Sequence, residues 1–309
     1  MNNSTVGKVV FWLALVITAM PFMSPPYALF LGLVLSFFVT NPLGKKKGKV
    51  TGMLLKASIV GLGFGININT ALQAGKDGFI YTIISIAGTL LVGVLLGRIF
   101  KVDKVTSYLV STGTAICGGS AIAATAPVAN AKEEQISVSL VVVFVLNAIA
   151  LFIFPAVGHM LDLSQSQFGI WAAIAIHDTS SVVGAASTYG EEALNIATTI
   201  KLVRALWIIP MVVLTAFIFK KKGTKMSIPW FIGLFVLAML ISSNVPQLAP
   251  VTPYIVSTAK TGFTITLFLI GSGLSPKALK AVGTKPLLQG VLLWALVSVT
   301  SLMAILYLA

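Results

Sequence analysis

The chain has 309 residues, of which 57% are hydrophobic and 9% charged, with a net charge of +13. That balance excludes an ordinary soluble domain, in which charged residues make up about a quarter, and points to one polytopic membrane domain over 1–309. The basicity does not mark a nucleic-acid binder, because Lys and Arg recur on every second connection, as the positive-inside rule requires.

Apolar runs cover approximately 8–23, 27–40, 50–66, 78–99, 105–128, 136–159, 168–188, 193–219, 227–245, 252–274 and 286–308. Most approach or reach the roughly 17–25 residues that cross a bilayer. The first is read as a span, not a cleaved signal peptide, since further spans follow and no small-residue cleavage site precedes Pro25 and Pro26. Lys45, Lys46, Lys47 and Lys49 form one basic connection, and Arg98, Lys101 and Lys104 another. Lys220, Lys221, Lys222 and Lys225 form a third, and Lys277, Lys280 and Lys285 a fourth. Their alternation predicts an N-terminus inside and a C-terminus outside.

Within the third run, Lys56 lies about a turn from the end. It is a candidate coupling group, with snorkelling to the interface as the plain alternative. Lys260 has the same two readings.

The run around 106–130 contains STGTAICGGSAIAATAP, rich in small residues where Leu and Phe are expected. Its candidates for substrate binding are Thr114, Cys117, Gly118, Gly119 and Ser120. The glycines allow bare backbone N–H groups to face an anion, and the hydroxyls add donors. Cys117 is the sole cysteine, so no internal disulfide exists; a buried packing role is its plain reading.

The run around 168–190 contains IHDTSSVVGAAS. Ionisable groups inside a membrane are costly and line substrate or proton paths. His177 and Asp178 are therefore candidates for coupling to a proton or sodium ion, against a satisfied structural pair. Thr179, Ser180 and Ser181 join the substrate-binding candidates. His159 is the other histidine, so no zinc-ligand spacing arises, and neither metal nor cofactor is expected.

Both small-residue runs predict interrupted helices, because irregular backbone at membrane depth is tolerated only beside a cavity or within protein. Each is either a discontinuous span or a re-entrant hairpin. The connection HMLDLSQSQ carries no Lys or Arg, which favours hairpins and then places it outside. The runs resemble each other: Ile116–Ala124 aligns with Ile176–Gly184, and Glu-Glu follows at Glu133–Glu134 and Glu191–Glu192. Gly63–Asn67 likewise resembles Gly271–Ser275, with Gly75 and Gly283 beyond. Gly-interrupted segments at matching places in oppositely directed halves indicate an inverted-repeat transporter core.

In the run 193–219, Lys201 and Arg204 share one helix face. A helix this long puts Arg204 near mid-membrane, too deep to snorkel, so the pair is assigned to an anionic substrate or to the structural core.

Taken in order, Ile116-Cys117-Gly118-Gly119, His177-Asp178 with Val182-Val183, Lys201-x-x-Arg204, Ile228-Pro229-Trp230-Phe231 and Gly283-Thr284-Lys285-Pro286-Leu287-Leu288 resemble the YeiH-type family of bacterial inner-membrane proteins, catalogued as sulfate exporters. The resemblance covers nearly the whole chain. Lys56 and the Lys201/Arg204 pair match family features. Some members have Glu in place of Asp178, Gln in place of Ser181 and an acidic residue in place of Ala126. The resemblance implies an all-α polytopic fold distantly similar to bile-acid symporters and sodium–proton antiporters, and a bacterial inner-membrane location.

The sequence reading is a secondary active transporter of a small anion such as sulfate or a sulfonate, working by alternating access. No P-loop is present, so coupling is to an ion gradient or to exchange. The rivals are an anion channel and an intramembrane hydrolase using Ser180 or Ser181 with His177. The latter lacks a Gly-x-Ser-x-Gly elbow, and the chain is read as a non-enzyme. The partners expected are the anion, its coupling ion and the lipid bilayer. The oligomeric state is open, with a homodimer among the options.

Overall fold

The structure, a computed structural model, describes residues 5–39, 41–219, 230–273 and 283–308. Lys220, Lys221, Lys222, Lys225, Ile228, Pro229, Ser275, Lys277 and Lys280 lie outside the described residues. The described chain is helical and contains no strand. In order the helices are α1 (Thr5–Thr18), α2 (Pro25–Phe38), α3 (Lys47–Gly63), α4 (Ile68–Ile99), α5 (Lys104–Ala115), α6 (Gly119–Thr125), α7 (Glu133–Met160), α8 (Gln165–Ala175), α9 (Thr179–Tyr189), α10 (Glu191–Leu206), α11 (Ile208–Ile218), α12 (Trp230–Asn244), α13 (Thr252–Gly271) and α14 (Thr284–Leu308). Among the described residues, five segments are long and apolar enough to cross a membrane: Thr82–Ile99, Glu134–Met160, Glu191–Ile218, Thr252–Gly271 and Thr284–Tyr307.

Each apolar run of the sequence corresponds to a helix or a helix pair. Local chemistry sets several ends. Pro25 opens α2, where its missing N–H has no intrahelical role. Ser164 and Gln167 form a reciprocal capping box at α8. The run read as one helix over 193–219 is divided at Trp207. Pro210 explains the division, since it cannot donate to the carbonyl of Leu206 and its ring crowds that group.

The chain forms two compact units, one of residues 1–73 and 229–276, the other of 74–228 and 277–309. In the first, α13 packs against α2 and α3. A Cβ at Gly32 would overlap the Phe268 carbonyl, and one at Gly271 the Leu29 carbonyl. Glycine at both positions lets α2 and α13 meet backbone to backbone, the close approach typical of membrane helices. The matching motifs noted in the sequence both end a helix: Gly63 is the last residue of α3 and Gly271 of α13. Lys56 places its ammonium 5.8 Å from the centre of the Trp230 ring.

The second unit is organised by two hairpins. Helices α5 and α6 fold back on each other: Thr112 and Thr125 bring their hydroxyls to 3.5 Å, and Leu109 and Ile122 share one apolar cluster. Helices α8 and α9 do the same. Phe168 near the start of α8 stacks on Tyr189 at the end of α9 with centroids 3.8 Å apart, and the Tyr189 hydroxyl donates to Leu163 O at 2.6 Å. The two small-residue runs are therefore helical hairpins, each folding back on itself instead of continuing in one direction.

Helix α7 sets how the hairpins face each other. Its first turn meets the base of the α5–α6 hairpin, where Gln135 Nε2 donates to Asp103 at 2.6 Å. Its last turn meets the base of the α8–α9 hairpin, where His159 stacks on Tyr189 at 4.4 Å. At 1.5 Å per residue, its 28 residues put the two bases about 40 Å apart. The α10–α11 segment runs the opposite way. It starts at the second base, where Glu192 N donates to Gln165, and reaches the first, where Lys104 lies over Phe219. Hairpin plus long helix thus occurs twice, inverted, and the sequence similarity marks the repeat: α6 begins at Gly119 and α9 at Thr179, aligned positions.

Candidate functional site

Both hairpin tips lie against the middle of α7. The first tip is Ile116-Cys117-Gly118. Gly118 has φ +63°, a region that suits glycine, and a Cβ there would sit 3.1 Å from Val143 Cγ1 and 3.2 Å from Asp178 Cβ. Gly118 is therefore also the point where the two tips touch. The second tip is Ile176-His177-Asp178, with extended backbone at Ile176 and Asp178.

An asparagine on α7 holds the second tip. Asn147 Oδ1 accepts from the backbone N–H of His177 at 3.0 Å and of Asp178 at 3.4 Å, while its Nδ2 donates to Asp178 Oδ2 at 2.6 Å. Asp178 Oδ1 caps α9, accepting from Ser181 N at 2.6 Å and from the Ser180 hydroxyl at 2.8 Å. Both carboxylate oxygens are engaged inside the protein. The cap answers the need of a helix start for acceptors, which lipid cannot supply.

The opposite need arises where α5 and α8 end, leaving carbonyls without partners. Two cations of α10 meet it. Lys201 Nζ donates to Ile176 O at 2.6 Å and to Ala173 O at 3.2 Å, closing the end of α8. The Arg204 guanidinium donates to Ala115 O at 2.6 Å, closing the end of α5, and to Ser85 Oγ on α4 at 2.6 Å. Cations favour the negative end of a helix dipole, so each hairpin arm receives its own charge. Lys201 and Arg204 are each 0% exposed. Cys117 lies within electrostatic reach of both, and Asp178 and His177 within reach of Lys201.

The sequence candidates divide as follows. Thr114, Cys117, Gly118, His177, Asp178, Ser180, Ser181, Lys201 and Arg204 are buried at or beside the tips. Gly119 and Thr179 open α6 and α9 and are half-buried. Ser120 is exposed, with its hydroxyl near the Cys117 thiol. Lys56 belongs to the first unit, over Trp230. Sequence reasoning missed Asn147, Ser85 and Gln289. The Gln289 side chain donates to Gly93 O, Ser107 and Ser111, tying α14 to α4 and α5. One signal was available for Asn147, a lone polar side chain inside VVVFVLNAIALFIF.

Inverted hairpins that meet at a buried, charged centre, and helices long enough to span a bilayer, define a polytopic membrane protein. The chain belongs to the family described as Conserved hypothetical protein 698, whose model matches residues 4–290. It is 57% identical over 284 residues to a UPF0324 membrane protein of Bacteroides thetaiotaomicron, covering 90% of this chain and 85% of that one. A UPF0324 membrane protein of Vibrio parahaemolyticus is 52% identical over 297 residues, covering 94% and 96%. One from Shewanella oneidensis is 49% identical over 300 residues, covering 97% and 95%. No solved structure matches, so the likeness to bile-acid symporters and sodium–proton antiporters finds no support from structural comparison.

Proposed function

We propose that the protein is a secondary transporter that moves a small anion across the bacterial inner membrane by alternating access. The observation that carries this reading is the meeting of two inverted hairpins at a buried centre that holds two cations and a single carboxylate. Keeping irregular backbone and charge away from water is costly. A purely structural bundle has no need of it, whereas repeat-related broken helices around a midpoint site are the architecture of secondary transporters. The surplus cation favours an anionic substrate, with sulfate and sulfonates as first candidates and a proton or sodium ion as the coupling partner.

The N-inside orientation follows from the basic connections. The hairpins support it, since they leave the connection at 160–164 outside, where Lys and Arg are absent. The hydrolase alternative lacks its relay among the described residues: the Ser180 hydroxyl donates to Asp178, and the His177 ring makes no hydrogen bond to a serine hydroxyl. Contact between the tips favours a gated carrier over an open channel.

Counterflow tests the proposal. Proteoliposomes loaded with unlabelled sulfate or methanesulfonate should accumulate labelled anion in a saturable way, and the Arg204→Ala protein should not. Ohmic anion currents without counterflow would replace the carrier by a channel.

A further inference from the structure

Serine and threonine hydroxyls inside helices have a default partner, the carbonyl one turn back. This chain follows the rule repeatedly. Thr89, Thr125, Thr215, Thr264, Thr266 and Ser301 all donate to the carbonyl four residues earlier. Three threonine hydroxyls break it among the described residues: Thr51 in the first unit, and Thr114 and Thr198 in the second. Thr114 and Thr198 are each at most 1% exposed.

Their positions are not scattered. Thr114 precedes Ala115, whose carbonyl holds Arg204. Thr198 lies one turn before Lys201 on the same face of α10. Two further orphans share this neighbourhood. Arg204 is 0% exposed and its Nε–H has no partner among the described residues. His177 is 1% exposed, and its ring lies toward the Val143 backbone, yet neither nitrogen makes a hydrogen bond of normal geometry. Gln289 Oε1 and Trp294 Nε1 on α14 are the other unpaired buried atoms of the second unit among the described residues. Leaving a buried polar group unpaired is costly, and Thr114, Thr198, His177 and Arg204 are the ones carried by the hairpins and by α10, the elements that build the charged centre. Three of them offer hydrogens: Nε–H, which can only donate, and two hydroxyls. Neutral imidazole offers one more. Asp178 offers nothing, since both its oxygens are already engaged.

We infer that Thr114, Thr198, His177 and Arg204 Nε–H are the ligand-facing groups of an enclosed site for a small oxyanion, and that Asp178 is a positioning residue outside the coordination set. This rests on the transporter reading only for what the site is used for. The occupant it specifies is a compact, multiply accepting anion stripped of water, such as sulfate, sulfite, a short sulfonate, phosphate or a short carboxylate. A cation such as sodium does not suit a donor-rich site with surplus positive charge.

The test is equilibrium binding to the purified full chain in detergent, with sulfate, sulfite, methanesulfonate, phosphate and acetate as separate probes and sodium chloride as the control. Thr198→Val and Thr114→Val keep the shape and remove only the orphan hydroxyls, so both proteins should melt at or above the wild-type temperature. Each should bind the preferred oxyanion at least about tenfold more weakly, the loss expected for a hydrogen bond to a charged partner. Thr215→Val, whose hydroxyl is already paired, should bind normally. A second readout does not depend on variant folding. With His159→Asn as background, ¹⁵N-histidine spectra report His177 alone, and its signals should move on adding the oxyanion and not on adding sodium chloride.

Wild-type affinity in folded Thr114→Val and Thr198→Val proteins overturns the assignment. So does an unmoved His177 signal at saturating sulfate, sulfite, methanesulfonate, phosphate and acetate. Tight binding with hydroxyl dependence but no counterflow keeps the site and removes the transporter reading. Counterflow that survives both valine substitutions keeps the transporter reading and removes this site.

Discussion

Asn147 is the side chain whose loss the structure makes easiest to quantify. Asn147→Leu keeps the branching pattern and deletes three hydrogen bonds: two accepted from the N–H groups of His177 and Asp178, and one donated to the Asp178 carboxylate. Residue 147 is 2% exposed, so water does not replace them. Each orphaned N–H costs about 1–3 kcal/mol and the lost charged bond about 1.5–3 kcal/mol. Even the lower ends exceed about 3 kcal/mol. For a unit of 150–250 residues, about 2–4 °C of melting temperature accompanies each kcal/mol, and the second unit, residues 74–228 and 277–309, falls in that range. The midpoint should drop by about 7–14 °C. Cys117, the chain's sole cysteine and 3% exposed at the facing tip, is a built-in reporter. A thiol-reactive fluorophore should react only slowly with the folded protein and rapidly at the melt, and the rapid phase should come at the lower temperature in Asn147→Leu. A midpoint within about 2 °C of wild type would show that Asn147 does not hold the second tip.

Other outcomes follow from the same geometry. Lys201→Met should uncover the Ala173 and Ile176 carbonyls and speed Cys117 labelling below the melt, whereas Lys201→Arg should largely restore protection; equal labelling of all three proteins would count against the capping role. Gly271→Val should prevent α2 and α13 from meeting, giving aggregated protein by size-exclusion chromatography, since its side chain would enter the Leu29 carbonyl. Burial alone would raise the Asp103 carboxyl, but bonds from Thr106, Gln135 and Val105 outweigh it and hold it below the usual carboxylate range. Its contribution is therefore present above the ordinary value of about 4 and lost as pH falls through the folded value. Asp103→Asn, still a good cap, should show a smaller loss of melting temperature between neutral and acidic pH than wild type. In a Cys117→Ala background, Asp162→Cys should label from outside intact cells and Lys101→Cys should not; the reverse would invert the topology.

The spans were legible because lipid-facing surface must be apolar around the whole helix, so composition alone marks it. Hairpin and discontinuous span look alike in sequence, since both need Gly, Ser and Thr at membrane depth. The pairing that decides between them, Phe168 with Tyr189, is a long-range contact with no local signature. Lys201 and Arg204 stood out as charges on one face, but their partners are carbonyls at Ile176 and Ala115, which only the folded hairpins bring to α10. Thr198 was invisible because helical threonines normally bond their own backbone, and the exception shows only when every neighbour is in place.

Sided labelling of Cys117 in proteoliposomes tests alternating access at the hairpin tips most directly. An impermeant maleimide should reach the thiol slowly from either side. Saturating transported oxyanion should suppress the reaction, and an anion gradient should raise labelling on one side as it lowers it on the other. Fast labelling from both sides at once would mean an open pore, and no labelling from either side would mean a closed structural core; each would contradict the account.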